Sequence, residues 1–402
     1  MNLGYTHITR NEYITNHVSE FSNIIYNDNP EVQKAISIID GTYIKIEKSR
    51  NFRVLRRSFS VHKHYHLLKP TLVCAPNGYI LAVHGPYFSD SRNNDASTLV
   101  NEFNKDMADI RAWFSATDIF ILDRGYRDAQ EFLTGLGIQI EMPAPLGRRP
   151  QLTTQEANDA RLITKSRYVV ETRNGHLKSI FKIFKNTFPN ALVPRLGQFL
   201  RIACALINRY HPTINPQTDT PERAEQMLAR AQQPNMVQQR VENEGLFRRH
   251  GHWNTVADQD IPDFPVLDLD YLRDLTFGTF QIAMAPSYVQ DNSEEYGDLA
   301  FEMDVSLAIP NFLRIRVKSR HRNAVKYQIA IQYSRAPNEL VTGYYCTCRS
   351  GARTVGTCCH IASVLWFLGH ARHENLIINP QDKVLHEIED AANRDPLLPV
   401  IV

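Results

Sequence analysis

The 402-residue sequence has no run of about 18 consecutive apolar residues, so a membrane role is not expected. It has almost no net charge, because 45 Lys and Arg stand against 43 Asp and Glu, and any nucleic-acid surface must therefore be a local patch. Internal repeats and low-complexity tracts are also missing, which favours ordinary globular domains. The first ten residues lack the pattern of a secretory signal, so we expect a reducing compartment. Disulfides are then not the default state of the six cysteines.

The order of patterns along the chain predicts two domains. Residues 36–212 alternate strands and helices, and residues 275 onward are rich in strand patterns. The stretch "HPTINPQTDTPERAEQ" between them has three prolines and few apolar residues, which indicates a linker. We predict an N-terminal extension at 1–35, an α/β domain at 36–212, a linker and helical connection at 213–255 and a smaller α+β domain at 256–402.

Strands come first in the larger domain. "ISIIDGTYIKI" is an apolar run, and "LLKPTLVCAPNGYILAVHGPYF" contains two apolar runs around "PNG", a hairpin signal. A helix with a start signal at Asp95 and a short strand at 118–123 follow. Two further helical segments are predicted at roughly 153–164 and 167–185, and an apolar helix at "LGQFLRIACALINRY".

Two carboxylates interrupt this apolar framework. Asp40 lies within "AISIIDGTYIKI" and Asp123 closes "IFIL", although an unpaired buried carboxylate is unfavourable by several kcal/mol. If the two strands are neighbours, the charges repel unless a cation lies between them, and a divalent metal is the simplest cation. Glu171 is the third candidate, on a helix face that also holds Lys178 and Lys182.

Carboxylates of this kind suit Mg²⁺ or Mn²⁺, and two such ions about 3.5–4 Å apart can drive the in-line displacement of a phosphodiester. The lysines beside them suit a polyanion. Each carboxylate alone also has an ordinary interpretation. Asp40 could be a strand-edge or turn residue, Asp123 a turn residue paired with Arg124 or Arg127, and Glu171 an exposed helix charge.

Four stretches, "IIDGTYIKI", "HYHLLKPTLVCAPNGYILAVHGPYFSDSRNNDASTL", "ILDRGYRDA" and "VVETRNGHLKSIFKIF", resemble the catalytic core of eukaryotic DDE transposases of the PIF/Harbinger-like group. The resemblance covers residues of about 36–210. It implies a ribonuclease H-like fold, a mixed sheet with helices on both faces, in which Asp40, Asp123 and Glu171 form the catalytic triad that binds two Mg²⁺ or Mn²⁺ ions. It also implies cleavage at transposon ends and joining of the 3′-hydroxyl to target DNA, by a nuclear enzyme that forms a homo-oligomer on DNA.

Two features depart from that group. Only some 35 residues precede the first strand, too few for the upstream DNA-binding module that its members usually have, so we expect that a separate DNA-binding partner protein supplies it. Asn174-Gly175 lies inside the predicted helix, where glycine is unfavourable by about 1 kcal/mol, and a break there would move the lysines off the face of Glu171. Two alternatives stay open: a non-cleaving DNA- or protein-binding factor kept by the host, and a nuclease without strand transfer.

Four cysteines lie in "YYCTCRSGARTVGTCCHIASVLWFLGH". Cys346 and Cys348 form C-x-C, and Cys358 and His360 form C-x-H nine residues later. Three thiolates and one imidazole make a closed tetrahedral set for structural zinc, which the reducing compartment favours over a disulfide. The pattern resembles a SWIM-type zinc finger over roughly 327–370, whose relatives bind DNA or protein. Cys359 is left out of this set, since a small buried residue is its simpler interpretation.

Two basic patches are candidate phosphate contacts. "RNFRVLRRSFSVHKHYH" follows the strand of Asp40, and "FLRIRVKSRHR" alternates basic with apolar residues. An ordinary solvated surface is the alternative for both, and it is slightly favoured for the second. The predicted DNA contacts are Arg53, Arg56, Arg57, Lys63, Lys178, Lys182, Arg314, Arg316 and Lys318.

Overall fold

The computed structural model describes residues 3–374, apart from 30, 107–108, 217, 249–252, 258–259, 297–300, 321 and 338. The chain divides into two compact units, Met1–Pro234 and Asn235–Val402. No helix in these described stretches is both long enough and apolar enough to cross a membrane.

The first unit contains seven strands, ten α-helices and three short 3₁₀ helices in its described residues. The strands are β1 (Ile36–Gly41), β2 (Ile44–Lys45), β3 (Phe59–Ser60), β4 (Tyr65–Cys74), β5 (Ile80–Phe88), β6 (Ile119–Ile121) and β7 (Gln139–Glu141). The helices are α1 (Arg10–His17), α2 (Glu20–Tyr26), α3 (Phe52–Ser58), α4 (Asp95–Lys105), α5 (Ile110–Trp113), α6 (Gln130–Gly135), α7 (Thr154–Ile180), α8 (Lys182–Lys185), α9 (Leu196–Tyr210) and α10 (Pro221–Ala231).

The main sheet of this unit is mixed. Strand β4 pairs antiparallel with both β5 and β1, whereas β1, β6 and β7 run parallel. One face, with Ile39 and Phe120, shares a hydrophobic core with Leu99 and Phe103 of α4. Side chains alternate along a strand, so Asp40 points to the opposite face, against which α7 packs. The predicted mixed sheet with helices on both faces is confirmed.

Helix α7 differs from its prediction. One continuous helix runs from Thr154 to Ile180, where two were expected, and it does not break at Asn174-Gly175. It begins with a capping box, in which the Thr153 hydroxyl accepts a hydrogen bond from the Glu156 N–H and the Glu156 carboxylate accepts from the Thr153 N–H. The chain leaves helical geometry at Phe181, and the short α8 follows.

Two segments outside the predicted α/β domain also pack in this unit. Tyr13 of α1 is fully buried, and its hydroxyl donates a hydrogen bond to the carbonyl of Ile36 in β1. Helix α10, within the segment predicted as linker and connection, packs against α2 and α7.

The second unit is a five-stranded antiparallel sheet with helices. Its strands are β8 (Trp253–Val256), β9 (Glu302–Ser306), β10 (Phe312–Ser319), β11 (Arg322–Tyr333) and β12 (Val341–Cys346), in the order β12-β11-β10-β9-β8. Its helices are α11 (Met236–Asn243), α12 (Leu269–Thr276), α13 (Phe280–Ala283), α14 (Ala285–Tyr296), α15 (Cys359–Trp366) and, after a π-helical turn at Phe367–Ala371, α16 (Arg372–Glu374). The core on one face includes α12, α14 and α15, and α11 packs on the other face. The separate, smaller sheet-and-helix region is therefore as predicted.

Candidate active site and metal centre

Two adjacent parallel strands bring the aspartates together. Ile38 of β1 stands opposite Ile121 of β6 in the sheet, and each aspartate follows its isoleucine by two residues. Because side chains repeat their direction every second residue, Asp40 and Asp123 reach the same edge and the same face. The sheet register therefore places both side chains beside α7.

Helix α7 adds Glu171 to the two aspartates. The three carboxylates surround one nitrogen, Nη2 of Arg167, which lies one turn before Glu171. That nitrogen is 3.5 Å from Asp123 Oδ2, 3.5 Å from Glu171 Oε1 and 3.9 Å from Asp40 Oδ1. Three carboxylates that are distant in the sequence thus share one cation, the guanidinium of Arg167.

The site is deep at one side and open at the other. The Asp40 side chain is 22% exposed, whereas those of Asp123 and Glu171 are 47% and 59% exposed. Burial raises the pKa of Asp40 to about 6, against the lowering effect of Arg167, and the charges of Glu171 and of further aspartates add to the rise. The open side gives solvent and a large substrate access to the carboxylates.

Asn174, also on α7, lies beside Asp40. Its Nδ2 donates a hydrogen bond to Asp40 Oδ2 at 3.3 Å. Its own Oδ1 is buried and has no hydrogen-bond partner among the described residues, which is unusual for a buried polar atom. Carboxylate and amide oxygens are the hard donors that Mg²⁺ and Mn²⁺ prefer, so the donor types fit such ions. The three carboxylates lie around Arg167 and are not within 4.8 Å of one another, so an ion would draw them closer together.

Asp123 makes one further contact of its own. Its Oδ1 accepts a hydrogen bond from the N–H of Arg124 and caps the 3₁₀ helix Arg124–Ala129. The alternative of a side-chain ion pair with Arg127 is not what the structure has, since Arg127 pairs with Asp128. One carboxylate oxygen of Asp123 therefore fixes the turn, and the other faces Arg167.

Sequence reasoning missed three residues of this site, Arg167, Asp95 and Lys69. Asp95, at the start of α4, lies over the two glycines that follow the aspartates. A Cβ on Gly125 would be 2.6 Å from Asp95 Oδ2, and one on Gly41 would be 3.3 Å from Asp95 Oδ1. Lys69 of β4, whose side chain is 4% exposed, holds Asp95 Oδ1 at 2.8 Å. A glycine soon after each aspartate, in "DG" and "DRG", is the sequence signal of this close approach.

The four predicted zinc ligands come together in the second unit. In the described part of the chain, Cys346, Cys348, Cys358 and His360 are the one group of His, Cys, Asp or Glu whose ligand atoms all lie within 4.8 Å of one another. All four residues are buried, and Cys346 Sγ is 3.9 Å from His360 Nδ1. Hydrogen bonds from the Cys346 and Cys358 side chains hold the pKa of the Cys348 thiol well below its usual range. This set fits a structural zinc ion, and Cys359 is not part of it.

Two backbone features present these ligands. Cys346 ends β12, and the chain turns back so tightly that a Cβ on Gly351 would lie 2.2 Å from the Cys346 carbonyl oxygen. Cys358 is the N-cap of α15, which places His360 in the first turn of that helix. The ring of Tyr327 packs 4.7 Å from that of His360. The C-x-C pair and the C-x-H pair are thus held by a strand end and a helix start.

The basic residues of the first unit lie in different environments. Arg53, Arg56 and Lys63 are exposed, on α3 and the turn after β3, and Lys182 is exposed on α8. Arg57 is anchored instead, by a 2.9 Å ion pair with Asp90 and by the face of the Phe88 ring. Lys178 is half-buried, and burial lowers its pKa although the Asp40 charge opposes this.

The second unit does not present the expected basic stripe. Arg314 is only 4% exposed, pairs with Asp304 at 2.8 Å and packs over the Trp253 ring, so it has no surface to offer DNA. Arg316 pairs with Glu302 at 2.5 Å, and Lys318 Nζ donates to the carbonyl of Asp291. The sheet is covered on both faces, which the alternating pattern alone did not indicate.

Residues 39–208 match the model of the family described as DDE superfamily endonuclease. The matched segment contains Asp40, Asp123 and Glu171, and its mixed sheet with flanking helices agrees with a ribonuclease H-like DDE core. No curated protein and no solved structure matches the chain.

Proposed function

We propose that this chain is a transposase-type DNA endonuclease and strand transferase of the PIF/Harbinger-like group. The observation that supports this most is the convergence of Asp40, Asp123 and Glu171 on one cationic nitrogen. Three carboxylates that converge at one edge of the sheet, inside a segment that matches a DDE endonuclease model, could hold the divalent ions that phosphodiester cleavage needs.

In this proposal Asp40, Asp123 and Glu171 would hold two Mg²⁺ or Mn²⁺ ions. When bound, the ions activate the attacking oxygen and stabilise the leaving oxygen of the phosphodiester. The parallel strands keep the two aspartates in a fixed register, and α7 carries Glu171 across from them. The exposed side of the site leaves room for a DNA backbone.

Exposed cations of the first unit supply the phosphate contacts in this proposal. Arg53, Arg56, Lys63 and Lys182 present their charges to solvent and are the best candidates. Arg57 supports them by fixing α3 through Asp90. Arg314 is left out because it is buried.

The Cys346, Cys348, Cys358 and His360 set is proposed as a structural, SWIM-type zinc site. Four protein ligands fill a tetrahedral shell and leave no open position for chemistry. The finger would stabilise the second unit, which could then contact DNA or protein. The remaining proposals are transposon ends and target DNA as substrates, a homo-oligomer on DNA, a separate DNA-binding partner protein and a nuclear location.

The test is cleavage of supercoiled or transposon-end DNA by single variants Asp40→Asn, Asp123→Asn and Glu171→Gln, in Mg²⁺ or Mn²⁺. Each variant should lose at least about a hundredfold in rate, since each removes one oxygen ligand of the ions. Asp128→Asn is the matched control, because Asp128 is an exposed carboxylate that pairs with Arg127 and is not part of the acidic site, and the variant should cut normally. Undiminished cleavage by all three variants would end the proposal. DNA binding without any cleavage by the unaltered chain would favour the non-cleaving host factor.

A further inference from the structure

We propose that Arg167 is the built-in counter-ion of the acidic site, which holds the three carboxylates together in the metal-free protein and competes with divalent ions for them. This inference rests on the proposed function, since it assigns a positioning role within the same site. Arg167 is not among the residues that the sequence motifs indicate.

The geometry of Arg167 is not that of an ordinary helix-surface pair. An i,i+4 pair such as Arg167 with Glu171 is common on exposed helices and contributes little. Here the same Nη2 atom also faces Asp40 from β1 and Asp123 from the end of β6, and the arginine side chain is only 13% exposed. One nitrogen thus joins three separate elements.

Nothing else in the described residues anchors the guanidinium. Its ion-pair partners are the three carboxylates, and its Nε is buried without a hydrogen-bond partner. Arg173, six residues later on the same helix, shows the contrast. Its Nε donates to the carbonyl of Gly78 at 2.6 Å and its Nη2 to the carbonyl of Pro212 at 2.8 Å. Arg173 is therefore fixed by backbone, whereas Arg167 is held by charges that a metal ion would also bind.

Competition follows from these distances. An ion bound by Asp123 and Glu171 would share the two carboxylate oxygens that lie 3.5 Å from Arg167 Nη2, and the ion and the guanidinium would repel each other as like charges. The guanidinium must therefore move outward, or the ion binds more weakly. In the metal-free state, the same guanidinium lies within 4 Å of all three carboxylates and reduces their mutual repulsion.

The experiment measures Mn²⁺ binding to the full, zinc-loaded chain at pH 8 by electron paramagnetic resonance of free Mn²⁺, with thermal unfolding in parallel. Arg167→Met should bind Mn²⁺ about tenfold more tightly than the unaltered chain, the effect that removal of one nearby like charge has on an ionic equilibrium. Without Mn²⁺, the melting temperature of the Arg167→Met protein should be lower than that of the unaltered chain. Addition of Mn²⁺ should then raise the melting temperature of the variant by more than it raises that of the unaltered chain. Arg167→Lys keeps the charge and should stay within about threefold of the original affinity.

Arg127→Met is the matched control, because it removes an exposed arginine that pairs with Asp128, outside the acidic site. It should change neither the Mn²⁺ affinity nor the melting temperature. Arg167→Gln is the second variant if Arg167→Met does not fold. Unchanged or weaker Mn²⁺ binding in the charge-removing variant would overturn the inference. If Mn²⁺ binding to the unaltered chain does not depend on Glu171, as Glu171→Gln would show, the proposed active site itself fails, which is a different outcome.

Discussion

The ionised carboxylate of Asp40 destabilises the folded protein. Burial raises its pKa from 3.8 to about 6, and the negative charges of Glu171, Asp95 and Asp123 contribute to the rise. Between about pH 4 and pH 6, the folded state therefore keeps a proton on Asp40 that the unfolded state has lost. The folded protein avoids the penalty of the buried charge fully below about pH 4, and this advantage is lost as the pH rises through about 6.

We therefore predict that Asp40→Asn stabilises the protein in the absence of Mg²⁺ and Mn²⁺. At pH 8 the free energy of unfolding should rise by about 1–3 kcal/mol, because the neutral amide avoids the charge penalty. Thermal or urea denaturation of both proteins between pH 5 and pH 8 checks this, and the difference should shrink towards pH 5. Asp128→Asn, on the exposed surface, should leave the free energy of unfolding unchanged. An Asp40→Asn protein that is less stable than the unaltered chain at pH 8 would contradict the prediction.

Single residues of the site differ in how well sequence predicts them. Asp40, Asp123 and Glu171 stand in short motifs that predict them as site residues, and the structure brings their side chains together around Arg167. The sequence does not predict Arg167 as a site residue, since its role depends on three carboxylates that only the folded sheet and helix bring within 4 Å of it. Asp95 is intermediate in predictability. The two glycines after Asp40 and Asp123 indicate that some group approaches closely there, but they do not identify it as Asp95.

At the scale of elements, the turn after β6 depends on Gly125. We predict that Gly125→Ala lowers the free energy of unfolding by about 1–3 kcal/mol, the range for a forced close contact. The added Cβ would lie 2.6 Å from Asp95 Oδ2, and Lys69 restrains that carboxylate from the other side. Denaturation curves of the variant check this. Gly135→Ala is the control, because nothing lies within 4 Å of its Cβ in α6 and alanine should be neutral or favourable there.

Helix α7 shows where local propensity fails as a guide. Gly175 and Asn174 suggest a break, yet the helix continues to Ile180. Val170 and Leu177 are fully buried on either side of the pair, and this packing outweighs a glycine penalty of about 1 kcal/mol. Lys178 therefore stays on the helix of Glu171, whereas Lys182 belongs to α8, beyond the change of direction at Phe181.

At the scale of the whole molecule, element order in the sequence predicts both sheet regions, but it does not predict that the second sheet is covered on both faces. Strands followed by alternation with helices indicate the mixed sheet of the first unit. In β10, alternating basic and apolar residues suggest one solvent-facing side, but the second unit has a core on each face of its sheet. Arg314 is consequently buried against Asp304 and Trp253, which no pattern within a single strand could reveal.

The two units should respond differently to loss of zinc. Cys346, Cys348 and Cys358 lie inside the hydrophobic core of the second unit, so the empty site would leave buried thiols in place of a metal centre. A structural zinc ion contributes about 10–16 kcal/mol in zinc-finger peptides at neutral pH, as much as the whole stability of a typical domain, about 5–15 kcal/mol, so the second unit should unfold without it. The first unit, Met1–Pro234, has its own core and should remain folded.

We predict that the purified chain holds about one zinc ion and that Cys346→Ser loses it, as structural sites of this kind do when a ligand is removed. Limited proteolysis of this variant should degrade the part after Pro234 and spare the part before it, because only the second unit depends on the metal. Cys359→Ser is the matched control, since Cys359 adjoins Cys358 but is not one of the four clustered residues, and it should keep both zinc and protease resistance. Zinc retained by Cys346→Ser, or lost equally from Cys359→Ser, would show that the four-ligand assignment is wrong.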